Sequence, residues 1–313
     1  VLGFFLYILL TPVFSQSIMR SMYLNQALSQ AREAVDRIEK LTDYPLLPTL
    51  SECRTMHGHD IRFVTVSFRY PSSKNNALNS VSFSIPQGKT TALVGASGSG
   101  KTTIARLIPR FWDVDEGSVL IGGTNVKHID PKVLMQHISF VFQNTQLFKT
   151  SLLENLQMGN PQATLVDIER AIDQAQCREI IERLPQGLDT KIGSEGTYLS
   201  GGEQQRLILA RSILKNAPIV ILDEATAFTD PENEHLIQKA FKNLSKGKTV
   251  LMIAHRLSSI AGADNIIVMD NGSIAEQGTH KQLLNKKGLY ASMYSEYQRS
   301  IAWNIEKEES RHA

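Results

Sequence analysis

The nine residues from Gly95 to Thr103, GASGSGKTT, have the types and spacing to hold phosphate. Glycines at 95, 98 and 100 let the backbone curl so that successive N–H groups, including those of Ala96, Ser97 and Ser99, point inward at anionic oxygens. Thr103 opens a helix-like run to Phe111, and a helix start adds positive potential. The run Thr90 to Val94 before the loop reads as a strand. Strand, loop and helix together predict a nucleoside triphosphate site in which Lys101 holds the β- and γ-phosphates and the Thr102 hydroxyl ligates Mg2+. A dinucleotide fingerprint fits less well, because Thr103 stands where a third glycine belongs.

A second constellation runs from Leu199 to Arg206, LSGGEQQR. Ser200, Gly201, Gly202 and Glu203 stand at the start of a helix-like stretch through Leu214, so a second helix start can face an anion; a plain serine cap with a glycine turn is the alternative. The apolar run Ile219 to Leu222 leads into Asp223 and Glu224. Such a strand end suits Asp223 to bind Mg2+ through water and Glu224 to polarise a water attacking the γ-phosphate. The strand Val250 to Ile253 delivers His255, which can hydrogen-bond phosphate. Gln143 ends the strand Ile138 to Phe142 and can offer its oxygen to Mg2+ or to the attacking water, or serve only as a satisfied polar residue. Tyr70 closes the strand starting at Ile61; it either stacks on an adenine or packs at the rim.

The elements that must position these groups follow an α/β pattern. The 313 residues are 42% hydrophobic and 20% charged with a net charge of +2, which supplies a normal core and no basic surface for nucleic acid. Cys53 and Cys177 lie too far apart in sequence for metal-ligand spacing and read as thiols in a reducing compartment. Residues 1 to 14 are almost wholly apolar, and no charge appears until Arg20. They read as the end of a membrane helix that begins upstream, continued by an amphipathic stalk to about residue 41. A proline-bearing linker spans 42–58. The domain then runs from 59 to 300, with a β-rich edge first, a helix-rich insertion from Ser151 to Leu184, a hairpin around Asp270-Asn271-Gly272 and a C-terminal helix from His280 to about Tyr297. The tail 301–313 is charged and frayed.

The ordered set GASGSGKTT, Gln143, LSGGEQQR, IVILDEAT and His255 resembles the nucleotide-binding domain of ATP-binding cassette (ABC) transporters. The resemblance implies a P-loop NTPase of the ABC type: a RecA-like mixed sheet core, a β-rich edge subdomain and a helical subdomain, with ATP and Mg2+ as cofactors. It also implies a second nucleotide-binding domain, in a homodimer or heterodimer, whose Ser200 and Gly202 close over ATP held by Lys101. Tyr70 then matches the adenine-stacking aromatic, Gln143 the loop coupled to the transmembrane domain, Glu224 the catalytic base and His255 the switch histidine. The N-terminal part looks like exporter-type half-transporters of the inner (plasma) membrane, with the nucleotide-binding domain cytoplasmic.

Within that group, the stretches Pro109 to Gly123 and Ala225 to Glu234 look most like siderophore-associated, yersiniabactin-type iron transporters. Two departures stand out. Ser194 occupies a position where exporters often carry glutamate, and Phe228-Thr229-Asp230 replaces the common Ala-Leu-Asp. Two other readings stay open: a soluble ATPase of the same superfamily, and an inactive subunit completing a sister's site.

Overall fold

The computed structural model describes residues 2–43, 47–48, 53–142, 146–193, 197–223, 231–254 and 257–299. It divides into two units, Val1–Pro48 and Thr49–Ala313. The first is one helix, α1 (Leu2–Thr42), whose 41 residues extend about 60 Å at 1.5 Å each. Apolar start and charged continuation, read from sequence as span and stalk, are thus continuous. Pro12 lies inside the helix. Thr11 and Ser17 donate their hydroxyls to the carbonyls of Tyr7 and Val13, four residues back, a bond that small hydroxyl side chains make within helices. Every described residue of α1 is exposed, and the helix is long and apolar enough to cross a membrane.

The second unit begins with an antiparallel sheet of β1 (Ile61–Phe68), β2 (Leu78–Ile85), β4 (Glu116–Ile121) and β5 (Thr124–Asn125), in the order β2-β1-β4-β5. Phe63 and Phe83 are paired in register across β1 and β2 with ring centroids 4.6 Å apart, a cross-strand contact that fixes the pleat. Strand β1 ends at Phe68, two residues before Tyr70, because the chain turns there: Ser73 donates its N–H to the Tyr70 carbonyl.

Between these strands lie β3 (Thr90–Gly95) and α2 (Lys101–Leu107). The sequence predicts this helix over 103–111. It starts two residues earlier and stops at Leu107, since Pro109 has no N–H to continue the hydrogen bonding and Arg110 turns to a left-handed φ of 56°.

The remaining elements are α3 (Pro131–His137), β6 (Ile138–Val141), α4 (Leu152–Gln157), α5 (Leu165–Gln174), α6 (Arg178–Arg183), α7 (Gly201–Lys215), β7 (Ile219–Asp223), α8 (Pro231–Ser245), β8 (Thr249–Ile253), β9 (Asn265–Asp270), β10 (Ser273–Gly278) and α9 (His280–Lys286). Among the described residues a second sheet runs β10-β9-β3-β8-β7-β6, parallel except for β10.

Side chains alternate across a strand, so β7 divides its residues. Ile219 and Ile221 join a core with Ile104 and Leu107 of α2 and the small sheet, whereas Val220 and Leu222 join one with Leu207 of α7 and Phe241 of α8. Helices α2 and α7 therefore cover opposite faces of the same sheet. Helix α8 was not among the elements expected from sequence, although Ile237, Ala240, Phe241 and Leu244 recur at helical spacing and are buried.

The predicted single C-terminal helix is broken. Lys287 adopts the left-handed conformation, φ 53°, and a second helical stretch covers 289–299. Buried Glu276 from β10 causes the break: its two carboxylate oxygens accept the N–H groups of Leu289 and Tyr290 at 3.1 and 3.0 Å. Tyr290 is fully buried and bonds His280 Nδ1 through its hydroxyl at 2.7 Å; burial first, and the neighbouring Tyr294 second, pushes its phenol up to about 12.

Two outcomes follow. Glu276→Ala, which leaves two helix-start N–H groups unpaired, is expected to cost about 1–3 kcal/mol by urea unfolding and to strip hydrogen-exchange protection from 289–299. Asp264 accepts from the Thr90 N–H at 2.9 Å and from Lys89 at 3.0 Å; the former above all, with the latter, holds its carboxyl below the usual value. A depressed native value means that this stabilisation is complete above the unfolded carboxylate range and disappears as pH falls through the native one. Asp264→Asn should therefore lower stability at neutral pH and flatten the acid limb of the stability profile.

Candidate functional site

The loop between β3 and α2 is held from behind by backbone. A Cβ on Gly95, where φ is 144°, would stand 2.1 Å from the Met269 carbonyl oxygen, so no side chain fits there. The hairpin turn of β9 and β10 clips the loop in place: Gly272 donates its N–H to the Ser99 carbonyl at 3.2 Å, and its own carbonyl accepts from Asn79 N–H at 2.8 Å. Asn271 and Gly272, at φ 45° and 77°, give the turn its left-handed pair of residues, as the sequence predicted.

Ala96, Ser97 and Gly98 are exposed, Ser99 and Gly100 buried. Lys101 is 5% exposed and donates to the carbonyls of Gly95 and Ala96 at 2.8 and 2.7 Å, with Ser99 Oγ at 3.4 Å. An ammonium folded over an exposed loop, beside a helix start, suits an anionic group. Thr102 is half-buried and Thr103 buried. Tyr70 donates its hydroxyl to Thr103 Oγ1 at 3.2 Å and stands edge-on to Phe68 and Trp112, with centroids at 4.8 and 5.5 Å. The structure therefore brings Tyr70 to the loop.

Parallel pairing aligns the neighbouring strand ends with this loop. Leu93 of β3 is in register with Ile253 of β8, which is in register with Asp223 of β7; Leu222 pairs in turn with Val141 of β6. Asp223 is buried at the end of an apolar strand. Gln143, Glu224 and His255 lie outside the described residues, as do Ser194, Phe228, Thr229 and Asp230.

Leu199 is buried, and Ser200 caps α7. Its Oγ accepts from the Glu203 N–H at 3.3 Å while Glu203 Oε2 accepts from the Ser200 N–H at 2.8 Å, a reciprocal capping box. Ser200 and Gly201 are exposed, Gly202 and Glu203 buried. Burial pushes the Glu203 carboxyl up, but the Ser200 N–H and the Arg183 guanidinium outweigh it and hold the group below its usual range.

Helix α6 supports this helix start through residues that the sequence did not single out. Arg183 pairs with Glu203, and, in the opposite sense, fully buried Arg206 donates to Glu179 and to the Gln176 carbonyl, both at 2.9 Å. The partners are 20 and 27 residues apart, beyond any helical or strand period. Cys177, beside this cluster, is buried and its thiol is pushed up to about 12, chiefly by burial, so it is inert; Cys53 is exposed.

Residues 78–227 match the family described as ABC transporter. The ATP-dependent lipid A-core flippase of Vibrio cholerae serotype O1 is 50% identical over 245 residues, covering 78% of this chain and 42% of that protein. The ATP-dependent lipid A-core flippase of Chromobacterium violaceum is 43% identical over 273 residues, covering 87% of this chain and 47% of that protein. Among solved structures, a bacterial Atm1-family ABC exporter with ATP bound matches with a TM-score of 0.78 at 36% identity, over 86% of this chain and 47% of that one. The chain thus spans less than half the length of these relatives. Their names give the siderophore expectation no support. The chain carries an ABC-type P-loop ATPase domain with mixed α/β sheets, preceded by an N-terminal helix, and over that length it is similar to exporter-type ABC transporters.

Proposed function

We propose that the chain is the ATP-hydrolysing subunit of an exporter whose two nucleotide-binding domains close on ATP and thereby drive a membrane domain. The observation that carries this reading is the placement of α2 and α7 on opposite faces of one sheet. One chain holds two anion-facing helix starts, at Lys101 and at Ser200, and each needs its counterpart from a second domain. The amides of residues 96–103 and Lys101 bind the β- and γ-phosphates, Tyr70 stacks on adenine, and Leu199 to Glu203 of the second domain cover the γ-phosphate.

Hard oxygen donors suit Mg2+, and the half-buried Thr102 hydroxyl and the buried Asp223 carboxylate fit that preference. With Gln143 they would hold the ion, which supplies charge neutralisation at the phosphate oxygens. Glu224 acts as general base, and His255 orients the attacking water.

The exposed apolar length of α1 supports a membrane-crossing role, with the domain on the cytoplasmic side of the plasma (inner) membrane. The domain is taken as 59–300, with span and stalk over 1–41, linker over 42–58 and tail over 301–313. The names of the flippase relatives favour export of an amphipathic lipid.

Lys101→Ala is expected to abolish ATP binding. Glu224→Gln should bind ATP and pair, visible as a larger species by size-exclusion chromatography, while turnover falls at least about 100-fold; near-normal phosphate release from that variant would refute the assignment. The loop offers a finer test. Gly98 has open space around its Cβ position but φ 79°, so Gly98→Ala should fold and cost about 1–2 kcal/mol of loop stability. Gly95→Ala must displace backbone, and calorimetric titration with ATP should show the larger loss of affinity.

A further inference from the structure

The geometry points to Arg183 as the positioning residue of the Ser200 helix start: through Glu203 it orients the capping serine and neutralises an acid placed where phosphate must approach. This rests on the reading that Ser200 faces ATP held by a second domain. Glu203 is the third residue of α7, and its carboxylate binds the Ser200 N–H through Oε2. That bond fixes the serine, but it also sets a negative charge within one turn of an N-terminus proposed to meet a triphosphate. Left alone, the acid would repel the ligand that the helix start attracts.

Arg183 answers both requirements. It is the last residue of α6, and its Nη2 donates to Glu203 Oε1, the oxygen not used by Ser200. The Glu203 side chain is 11% exposed while that of Arg183 is 61% exposed, so the guanidinium lies over a carboxylate that water scarcely reaches. Charge-assisted bonds of this kind are stronger than neutral ones and hold direction. The second rung, Glu179 with Arg206, has the reverse polarity, and so α6 cannot slide along α7 without placing like charges together.

The test uses the intact chain and two readouts. Arg183→Ala should raise the ATP concentration for half-maximal hydrolysis about 10-fold, the scale of one charge-assisted bond, and speed amide exchange at Ser200 by a similar factor. The affinity of the Lys101 loop for a fluorescent ATP analogue, measured in dilute, unpaired protein, should not move. The discriminating variant is Arg183→Ala combined with Glu203→Gln. A glutamine still accepts the Ser200 N–H and carries no charge to neutralise, so at least half of the lost ATP sensitivity and of the exchange protection should return.

If the double variant stays as impaired as Arg183→Ala, Arg183 merely anchors α6 and the inference fails. It fails equally if Arg183→Ala matches the parent in both readouts. Should the unmodified chain hydrolyse no ATP, the proposed function falls, and exchange at Ser200 alone decides the positioning role.

Discussion

Ile219, Val220, Ile221 and Leu222 are all buried, and a strand that hides both of its faces must be covered on both sides. At about 1.5–3 kcal/mol for each large apolar side chain, this short stretch drives the layering of the whole domain. One cover is α2 with the small antiparallel sheet; the other is α7 and α8 with the helices before them. The two anion-facing helix starts are separated by that layering. A chain folded around β7 thus holds its two glycine-bearing helix starts on opposite faces of one sheet.

The same sheet sets the chemistry at its edge. Parallel pairing places the ends of β3, β8 and β7 in register, so the phosphate loop and Asp223 arrive together. Precision at the loop comes from outside the sheet. The hairpin turn at Gly272 touches both the loop, through Ser99, and the small sheet, through Asn79, and binds the two sheets at the point where the loop needs its shape.

Local pattern made much of this legible. Glycine spacing around Lys101, alternation in the strands and the serine–glycine start of α7 each encode a backbone conformation within a few residues, and the structure has them. What escaped was set by distant partners. The break at Lys287 depends on Glu276 reaching forward to cap a new helix, and no period in 280–297 reveals it. Helix α8 had its apolar spacing in plain view and opens on Pro231, a residue suited to a first helical turn, yet it was not singled out. The pairs Arg183–Glu203 and Glu179–Arg206 join residues whose neighbourhood only folding creates. The siderophore likeness rested on short stretches such as Pro109 to Gly123, part of which forms the packed turn around Arg110 and Asp113 and strand β4 rather than a surface that meets cargo.

The two halves of the site are held by different physics, and this bears on how they can act. The Gly95 loop is fixed largely by close backbone contacts: a Cβ at Gly95 or Gly100 would stand 2.1 or 2.7 Å from its nearest neighbour, so these two positions admit no substituent. The Ser200 helix start is fixed by charge: a carboxylate between a serine N–H and a guanidinium, with a buried arginine behind it. Electrostatic positioning is more adjustable, because it responds to whatever anion approaches. In the closing pair proposed above, the backbone-fixed loop would grip the triphosphate and the charge-positioned cap would meet it from the second domain.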